Sequence, residues 1–109
     1  MSKINIKKNK IIQQVKEAVG SFSPSAKVIL YGSRARGDAK EESDWDFLIL
    51  IDNAVTTIQK QLIRHDLYKI EWHTGAVISS IIESKYNWNT PIIRSTPFYK
   101  NIKKEGIPL

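Results

Sequence analysis

The sequence predicts an α/β (α+β) fold in which a small mixed β-sheet of at least three strands carries helices packed mainly on one face. The first observation behind this prediction is the order of the segments, which run as helix, strand, strand, helix, strand and helical tail. The second is that the first two strands are joined only by a polar loop and a turn of helix, which does not suit an ordinary parallel crossover. The third is the length of 109 residues, which suits a single domain over 1–109 with 84–109 as its helical tail.

The N-terminal third predicts one helix and one strand. Apolar residues recur on one helical face over about residues 7–19, and Gly20 follows as a stop signal. The residues of this face are Ile11, Ile12, Val15, Ala18 and Val19. After a loop that contains Pro24, the segment Lys27–Tyr31 is short, apolar and partly β-branched, which predicts a buried strand.

The central part predicts a second strand, a helix and a third strand. Asp44–Ile51 becomes strongly apolar after its first residues, which is typical of a strand that enters the core. Thr56 and Gln59 have the spacing of a capping box, and the helix that they begin should end near Gly75. The third strand is predicted over Val77–Ile82.

The C-terminal tail is less regular than the rest of the chain. Thr96 followed by Pro97 predicts the start of a short helix, and Gly106 predicts its end. We expect the indole rings of Trp72 and Trp88 to be buried against the core or the tail. The alternative is that one of these rings supports a nucleobase or a partner surface.

The composition excludes several kinds of site. There are no cysteines, which excludes a disulfide framework, a thiolate zinc site and a cysteine nucleophile. The longest apolar run, Phe47–Ile51, is too short to span a bilayer, and no apolar signal core follows the basic N-terminus. We therefore expect a cytoplasmic protein with no membrane partner.

The net charge of +6 and the pI near 9.6 favour anionic partners such as nucleotides, RNA or an acidic protein. The lysines concentrate near the two ends of the chain, at Lys3, Lys7, Lys8, Lys10, Lys100, Lys103 and Lys104. Neither interleaved aromatic residues nor an arginine-rich run accompanies them. For these lysines we therefore favour a solvated face that binds no partner.

A phosphate-binding turn is predicted where the first strand ends at Gly32 and Ser33. Glycine lets the backbone turn sharply and approach a ligand closely. If a helical turn follows, its free N–H groups make an anion site, and the Ser33 hydroxyl adds one more donor. Arg34 and Arg36 follow at once, and a guanidinium group suits phosphate oxygens. The alternative is that both arginines pair on the surface with nearby carboxylates, which are Asp38, Glu41 and Glu42.

A divalent metal site is predicted at the start of the second strand, where Asp44 and Asp46 occupy alternate positions. Side chains two residues apart on a strand share a face, so both carboxylates lie within reach of one cation. Mg²⁺ is the natural ion, because it takes hard oxygen ligands and shares its coordination with substrate phosphates. Trp45 lies between the two aspartates and should face the opposite side of the sheet, as part of the core.

The combined spacing of these features is more specific than any one of them. An apolar strand runs into Gly-Ser, a spacer covers 34–43, and Asp-apolar-Asp-apolar follows. The pattern Gly-Ser-Arg-Ala-Arg-Gly-Asp-x-x-x-x-Ser-Asp, which begins at Gly32, resembles the signature of the minimal nucleotidyltransferase branch of the DNA polymerase β-like nucleotidyltransferase superfamily. The resemblance is strong over Val28–Ile51, and elsewhere only the order of the elements agrees.

The resemblance implies a nucleotidyltransferase-like fold and a magnesium-dependent enzyme. Such an enzyme moves a nucleoside monophosphate from a nucleoside triphosphate, with ATP favoured, to a hydroxyl acceptor and releases pyrophosphate. By this resemblance Gly32 and Ser33 would hold the β- and γ-phosphates, and Arg36 is the better arginine for phosphate contact. Asp44 and Asp46 would be the catalytic residues and would bind one or two Mg²⁺ ions.

The resemblance also implies a partner protein. The minimal branch includes small proteins encoded beside a helical partner in prokaryotic toxin–antitoxin pairs, and the acceptor hydroxyl can lie on such a partner. A homodimer is a further hypothesis, because the irregular tail with Trp88, Phe98 and Tyr99 could pack on a second subunit. Nucleic acid is the least favoured partner, because RNA-directed enzymes need extra domains for which this chain has no room.

One departure from the family pattern concerns the third carboxylate that active members usually carry on the next strand. Here the expected position falls at Ser79 or Ser80, and a hydroxyl is neither an anionic ligand nor a useful base at neutral pH. Glu71 and Glu83 are the available substitutes, although each is more typical of an ordinary surface glutamate. The alternative function is therefore a catalytically weak or inactive binding partner, an antitoxin-like component of a two-gene pair.

Overall fold

The fold is seen in a computed structural model, which describes residues 4–109, so Lys3 lies outside the described part. The elements in chain order are α1 Lys10–Phe22, β1 Lys27–Tyr31, α2 Ser33–Arg36, β2 Trp45–Ile51, α3 Thr57–Thr74, β3 Ile78–Ser84, α4 Lys85–Trp88, α5 Pro91–Arg94, α6 Pro97–Glu105 and β4 Ile107–Pro108. The predicted order of elements is confirmed, and the tail resolves into α4, α5, α6 and β4. None of the helices in this range is long and apolar enough to cross a membrane.

The first helix differs from its prediction at both ends. The side chain of Asn9 caps it by accepting a hydrogen bond from the Ile12 N–H at 3.0 Å, so it begins at Lys10 rather than near residue 7. It also continues past Gly20 to Phe22, whose ring packs against the core. The apolar face itself was predicted correctly, since its central residues are buried.

The boundaries of the next helix and strand agree more closely with the sequence. Thr56 and Gln59 form the predicted capping box, and α3 ends at Gly75 in a left-handed conformation with φ 75°. The following strand covers Ile78–Ser84 instead of Val77–Ile82, because its pairing with β2 continues to the end of that strand.

The sheet is mixed, as predicted, with the order β3-β2-β1-β4. Strand β1 is antiparallel to β2 and to β4, whereas β2 and β3 are parallel and are connected through α3. The short polar connection between β1 and β2 therefore joins antiparallel strands. The described chain leaves β3 at one edge of the sheet, and the short β4 at the other.

The two longest helices, α1 and α3, pack on one face of the sheet, as expected. The strand side chains on that face include Trp45, Phe47, Ile49 and Ile51. The shorter helices of the tail cover part of the other face, where Leu48 and Leu50 contact residues of α4 and α6. Strand β2 is thus buried on both sides, and its first residues emerge at the rim of the core.

The aromatic residues of the tail belong to the protein's own core. Trp88 is 6% exposed and Tyr99 is 7% exposed, and Phe98 packs against the same cluster. These rings therefore pack within the chain itself, and the homodimer stays a prediction that they do not support. The expectation that Trp72 is buried is wrong, because its side chain is 78% exposed on the side of α3 that faces away from the core.

Candidate active site

The turn after β1 depends on glycine at position 32. The Gly32 backbone has φ 76° and ψ −159°, a combination that side chains with a Cβ atom avoid. In the sheet register the preceding residue, Tyr31, lies opposite Asp46 of β2. A Cβ atom on Gly32 would overlap Oδ2 of Asp46 and lie 3.2 Å from its Cγ. The missing side chain therefore lets the Asp46 carboxylate lie directly against the turn.

A helical turn follows this glycine, as the sequence suggested. The Gly32 carbonyl accepts hydrogen bonds from the N–H groups of Ala35 and Arg36, both at 3.0 Å, and α2 begins at Ser33. No side chain caps this N-terminus, and the first N–H groups of a helix have no intrahelical acceptors. These N–H groups and the Ser33 hydroxyl are the donors that a phosphate-binding turn requires.

The two aspartates lie where β2 begins. Asp44 directly precedes the strand and is exposed, whereas Asp46 is its second residue and is half-buried. Burial raises the pKa of Asp46, the negative charge of Asp44 raises it further, and the positive charge of Arg36 opposes both effects. Trp45 is 5% exposed and packs on the opposite face, as predicted. Two carboxylates that repel each other, one of them partly desolvated, gain stability from a bound cation.

The first arginine after the turn, Arg34, contacts the loop that follows α2 and the ring of Trp45. The Arg34 Nη2 atom donates to the carbonyl groups of Glu41 and Ser43, both at 2.9 Å. Its guanidinium carbon lies 4.5 Å from the ring centroid of Trp45, within the range of a cation–π contact. Arg34 therefore holds the loop between α2 and β2 against the core.

The second arginine lies beside the aspartate pair. Arg36 Nε donates to Asp38 Oδ2 at 3.2 Å, and Arg36 Nη1 donates to Glu105 Oε1 at 3.3 Å. Its positive charge opposes the burial and the Asp44 charge that raise the pKa of Asp46. The expected surface pair with Asp38 is present, and Arg36 is also the arginine whose charge acts on the carboxylate site.

The register of β3 against β2 shows which serine occupies the position of the expected third carboxylate. Ser79 lies opposite Asp46 and so points to the same face, whereas Ser80 lies opposite Phe47 on the other face. Glu71 does not substitute for an acid here, because its Oε2 accepts a hydrogen bond at 2.8 Å from the first N–H of β3. A serine therefore occupies the position on β3 nearest to Asp46.

Glu83 lies on the correct face at the wrong end of its strand. It points to the same side as Ser79, and it lies opposite Leu50 in the β2 register. Four residues separate Glu83 from Ser79, which corresponds to about 13 Å along a strand. Its Oε2 accepts a hydrogen bond from Asn87 Nδ2 at 2.7 Å. Glu83 therefore does not reach the aspartate pair of its own chain.

The residues present fit a magnesium ion whose coordination is completed by the substrate. Over residues 4–109 no group of three or more His, Cys, Asp and Glu side chains could hold a metal ion. Magnesium is usually bound by one or two carboxylates together with water and substrate phosphates. Asp44 and Asp46 are such a donor pair, and Asp46 lies against the Gly32 turn, where phosphates would bind.

Sequence reasoning missed two residues that border this site. Tyr31 lies opposite Asp46, and burial and then the Asp46 charge raise the pKa of its phenol. Strand alternation before Gly32 could have indicated Tyr31. Glu105 reaches Arg36 from 69 residues away in the sequence, and no local pattern announces that contact.

A family model and two sequence relatives all indicate the same protein family. The family model for the nucleotidyltransferase domain matches residues 10–108. Two proteins of Methanocaldococcus jannaschii, both provisionally named protein adenylyltransferases, are similar in sequence. One is 38% identical over 84 residues, with 73% of this chain and 73% of the relative covered. The other is 40% identical over 80 residues, with 69% of this chain and 81% of the relative covered.

The fold also resembles a solved structure. A crystal structure described as a toxin–antitoxin with AMP-PNP superimposes with a TM-score of 0.60 and covers 88% of this chain and 69% of that chain. Its sequence identity is 14%, so the likeness concerns the fold alone. With a family model that matches almost the whole chain and two relatives near 40% identity, the chain belongs to the nucleotidyltransferase domain family and is a nucleotidyltransferase.

Proposed function

We propose that this nucleotidyltransferase moves AMP from ATP to a hydroxyl group of a partner protein in a magnesium-dependent reaction. The observation that supports this most directly is the contact between the Asp46 carboxylate and the Gly32 turn. This contact puts the carboxylate that would bind the metal next to the turn that would bind phosphate. A nucleoside triphosphate needs both, since its phosphates carry the charge that a cation must balance.

Each residue of the site has a role in this proposal. The N–H groups at the start of α2 and the Ser33 hydroxyl bind the β- and γ-phosphates, and Gly32 keeps the turn open for them. Arg36 exchanges part of its contact with Asp38 for phosphate oxygens. Asp44 and Asp46 hold the cation. When bound there, Mg²⁺ would supply charge stabilisation at the α-phosphate.

The reaction is a substitution at the α-phosphorus. The acceptor oxygen forms a bond to that atom, and the bond from it to the oxygen that bridges to the β-phosphate breaks. Pyrophosphate leaves with the electron pair of that bond, and the acceptor proton passes to water. No oxidant or reductant takes part.

The choice of ATP and of a protein acceptor rests on the relatives. Both M. jannaschii proteins are named for the adenylylation of protein, and the similar crystal structure was solved with AMP-PNP, an ATP analogue. That structure is described as a toxin–antitoxin, which supports a partner protein as the acceptor, and the family resemblance implies a small helical one encoded nearby.

The second candidate is a catalytically weak binding partner in such a pair. The observation that favours it is Ser79, which occupies the strand position opposite Asp46 where an acid is expected. In that case the protein would bind nucleotide and metal without efficient transfer. The two candidates differ in turnover and not in binding.

Transfer can be tested with ATP labelled at the α-phosphate, Mg²⁺ and the protein encoded by the neighbouring gene. We expect label on the partner with the wild type and none with Asp46→Ala. Asp66→Asn is the matched control, because this carboxylate lies on α3 away from the site and pairs with Lys69 at 3.9 Å.

Label that persists in Asp46→Ala would remove that residue from the mechanism. If no triphosphate labels a verified partner although calorimetry shows that the wild type binds ATP with Mg²⁺, the binding-partner candidate is correct instead.

A further inference from the structure

Strand β3 leaves a long free edge. It spans seven residues, Ile78–Ser84, at the end of the sheet in the described chain. It contains neither proline nor lysine, the residues that commonly protect edge strands from pairing. The opposite edge, β4, has two residues, one of which is a proline. An unprotected edge of this length is a template for pairing with another strand.

The backbone groups at this edge can be assigned. Trp45 N–H donates to the Val77 carbonyl at 2.8 Å, so the odd-numbered residues along β3 direct their backbone groups towards β2. The even-numbered residues therefore direct theirs outward. Glu71 accepts the first of these N–H groups. The backbone groups of Ser80 and Ile82 lie at the centre of the free edge.

We propose that a second copy of the chain pairs its β3 antiparallel with this edge, centred on Ile81, and that the partner's Glu83 completes the Asp44–Asp46 metal site. The proposal rests on the proposed function for the role of that site. The strand pairing itself is inferred only from the free edge of β3 and does not depend on the proposed function.

The register follows from symmetry. Residues that face each other across an antiparallel pair point to the same face of the sheet. In two identical strands, opposed residues must therefore be both odd-numbered or both even-numbered. The two-fold axis then passes through a position where one residue faces its own copy. A centre at Ile81 sets each of the seven residues opposite a residue of the partner strand, and Glu71 keeps the Ile78 N–H. A centre at Ser80 or Ile82 leaves two of the seven unpaired. The Ile81 centre also places Ser80 opposite the partner's Ile82, where their outward backbone groups can bond in both directions.

This register brings the missing carboxylate to the site. Ser79 lies between Asp46 on β2 and the partner's Glu83, and all three point to one face. Two inter-strand spacings, about 10 Å, separate the Cα atoms of Asp46 and the partner's Glu83. An aspartate and a glutamate side chain can close that distance around one cation. Within a single chain Glu83 is too far from Asp46, and across the pair it takes the position that a third acid on β3 would have.

The surroundings of Glu83 support this role. Among residues 4–109 no lysine or arginine forms an ion pair with it, and its carboxylate accepts a hydrogen bond from Asn87. It lines an open cleft of about 260 Å³ on the face that carries the site. A carboxylate at the rim of an apolar cleft gains from a cation partner.

The ends of the strand also favour a second copy. Val77, before β3, is 51% exposed, and Tyr86, after it, is 83% exposed. Antiparallel pairing places the start of one strand beside the end of the other, so each Val77 lies opposite the partner's Lys85, which directly precedes Tyr86. Glu83 faces the partner's Ser79, so no like charges oppose each other across the strands.

Cross-linking tests the pairing without reference to activity. The chain has no cysteine, so Ile81→Cys introduces a single thiol at the two-fold axis. Directly opposed residues in a non-hydrogen-bonded pair have Cα atoms about 4.5 Å apart, within disulfide range. We expect a covalent dimer on mild oxidation. Ser79→Cys is the matched control, because its two thiols would be separated by about 13 Å along the strands.

A mixture of Ser79→Cys and Glu83→Cys provides a second cross-linking arm, because these positions oppose each other. It should give a disulfide that neither variant gives alone. Folded Ile81→Cys that stays monomeric on oxidation, together with no cross-link in the mixture, would overturn the pairing.

Complementation and metal binding test the role of Glu83. Asp46→Ala and Glu83→Gln should each lack transfer. Mixed in equal amounts, about half of the dimers contain one of each, and one of their two sites is intact. The mixture should therefore recover about a quarter of wild-type transfer. Independently, Glu83→Gln should weaken Mn²⁺ binding about tenfold by electron paramagnetic resonance.

These readouts separate the two proposals. If the wild type transfers nothing but the cross-link forms and Glu83→Gln weakens Mn²⁺ binding, the proposed function fails and the composite site stands. If Glu83→Gln transfers and binds Mn²⁺ as the wild type does, the composite site is wrong and the proposed function stands.

Discussion

The carboxylate of Asp46 occupies the space in which a Cβ atom on Gly32 would lie. The turn and the carboxylate therefore depend on each other, although 14 residues of sequence separate them. The backbone of Gly32 is also in a conformation that only glycine adopts readily, with φ 76°. Any side chain at this position must displace Asp46, the turn or both.

Gly32→Ala should impair both stability and metal binding. We expect the free energy of unfolding to fall by about 1–3 kcal/mol from backbone strain, and Mn²⁺ affinity to fall because Asp46 is displaced. Denaturant unfolding and paramagnetic titration measure the two effects. Gly20→Ala is the control, since Gly20 is helical with no atom within 4 Å of an added Cβ. It should be stabilising by about 0.5–1 kcal/mol. Wild-type Mn²⁺ affinity in folded Gly32→Ala would contradict the contact.

Loss of Arg34 should lower the stability of the fold, whereas loss of Arg36 should weaken ATP binding. Arg34→Ala removes two hydrogen bonds to loop carbonyls and the packing on Trp45, so the free energy of unfolding should fall by about 2–3 kcal/mol. Arg34→Lys should restore less than half of this, because an ammonium group lacks the planar fork.

Arg36→Ala removes exposed ion pairs, which are worth less than about 1 kcal/mol. Its main effect should be weaker ATP binding in the presence of Mg²⁺. Denaturant unfolding and calorimetry on both arginine variants distinguish the two roles. A large loss of stability in Arg36→Ala with unchanged ATP binding would reverse the assignment.

The parts of the fold that the sequence predicted correctly depend on neighbours in the chain. Thr56 and Gln59 form a capping box because the two residues need only each other. Asp46 and Trp45 point to opposite faces because alternation is a property of any strand. The approach of Asp46 to Gly32 was expected from the family spacing, and the sheet register accounts for it.

The parts that the sequence did not predict depend on contacts between distant residues. The choice between Ser79 and Ser80 required the register of β3 against β2, which no local pattern fixes. Trp72 was expected to be buried from its size, yet other residues of α3 already fill that face of the core. Glu105 was missed because its partner, Arg36, lies 69 residues away in the sequence.

The end of the sheet opposite the site should show a pH-dependent stability. Asp52 accepts hydrogen bonds from Lys85 Nζ and Ser25 Oγ, which lower its pKa below 3.8, with the Lys85 bond as the largest cause. A lowered pKa means that the folded state favours the carboxylate. The stabilisation is therefore full above the unfolded pKa and is lost as the pH falls through the folded pKa.

Asp52→Asn should therefore unfold at lower urea concentration than the wild type at pH 7, and the difference should shrink as the pH falls below 3.8. Urea unfolding across this pH range measures the effect. Asp66→Asn, on the surface of α3, is the control and should differ little from the wild type at pH 7. A difference between Asp52→Asn and the wild type that grows on acidification would contradict the assignment.

Ser79→Asp should complete the metal site within one chain. The new carboxylate would point to the same face as Asp46, one strand spacing away. In the Glu83→Gln background, where the partner's acid is absent, we expect Ser79→Asp to tighten Mn²⁺ binding about tenfold, a gain of about 1.4 kcal/mol, and to restore AMP transfer. Ser80→Asp is the matched control, because its side chain points to the other face opposite Phe47 and should gain no metal affinity.

The same variant tests whether the partner's Glu83 supplies the third acid. In the wild type, Glu83→Gln should abolish transfer. In the Ser79→Asp background it should have little effect, because the third acid is then present in the same chain. The four proteins form a double-mutant cycle, measured by initial rates of label transfer with saturating ATP and Mg²⁺. If Glu83→Gln costs the same factor with and without Ser79→Asp, the two carboxylates do not share one position. Non-additivity in the expected direction would show that the serine at position 79 is the reason that the site requires a second copy.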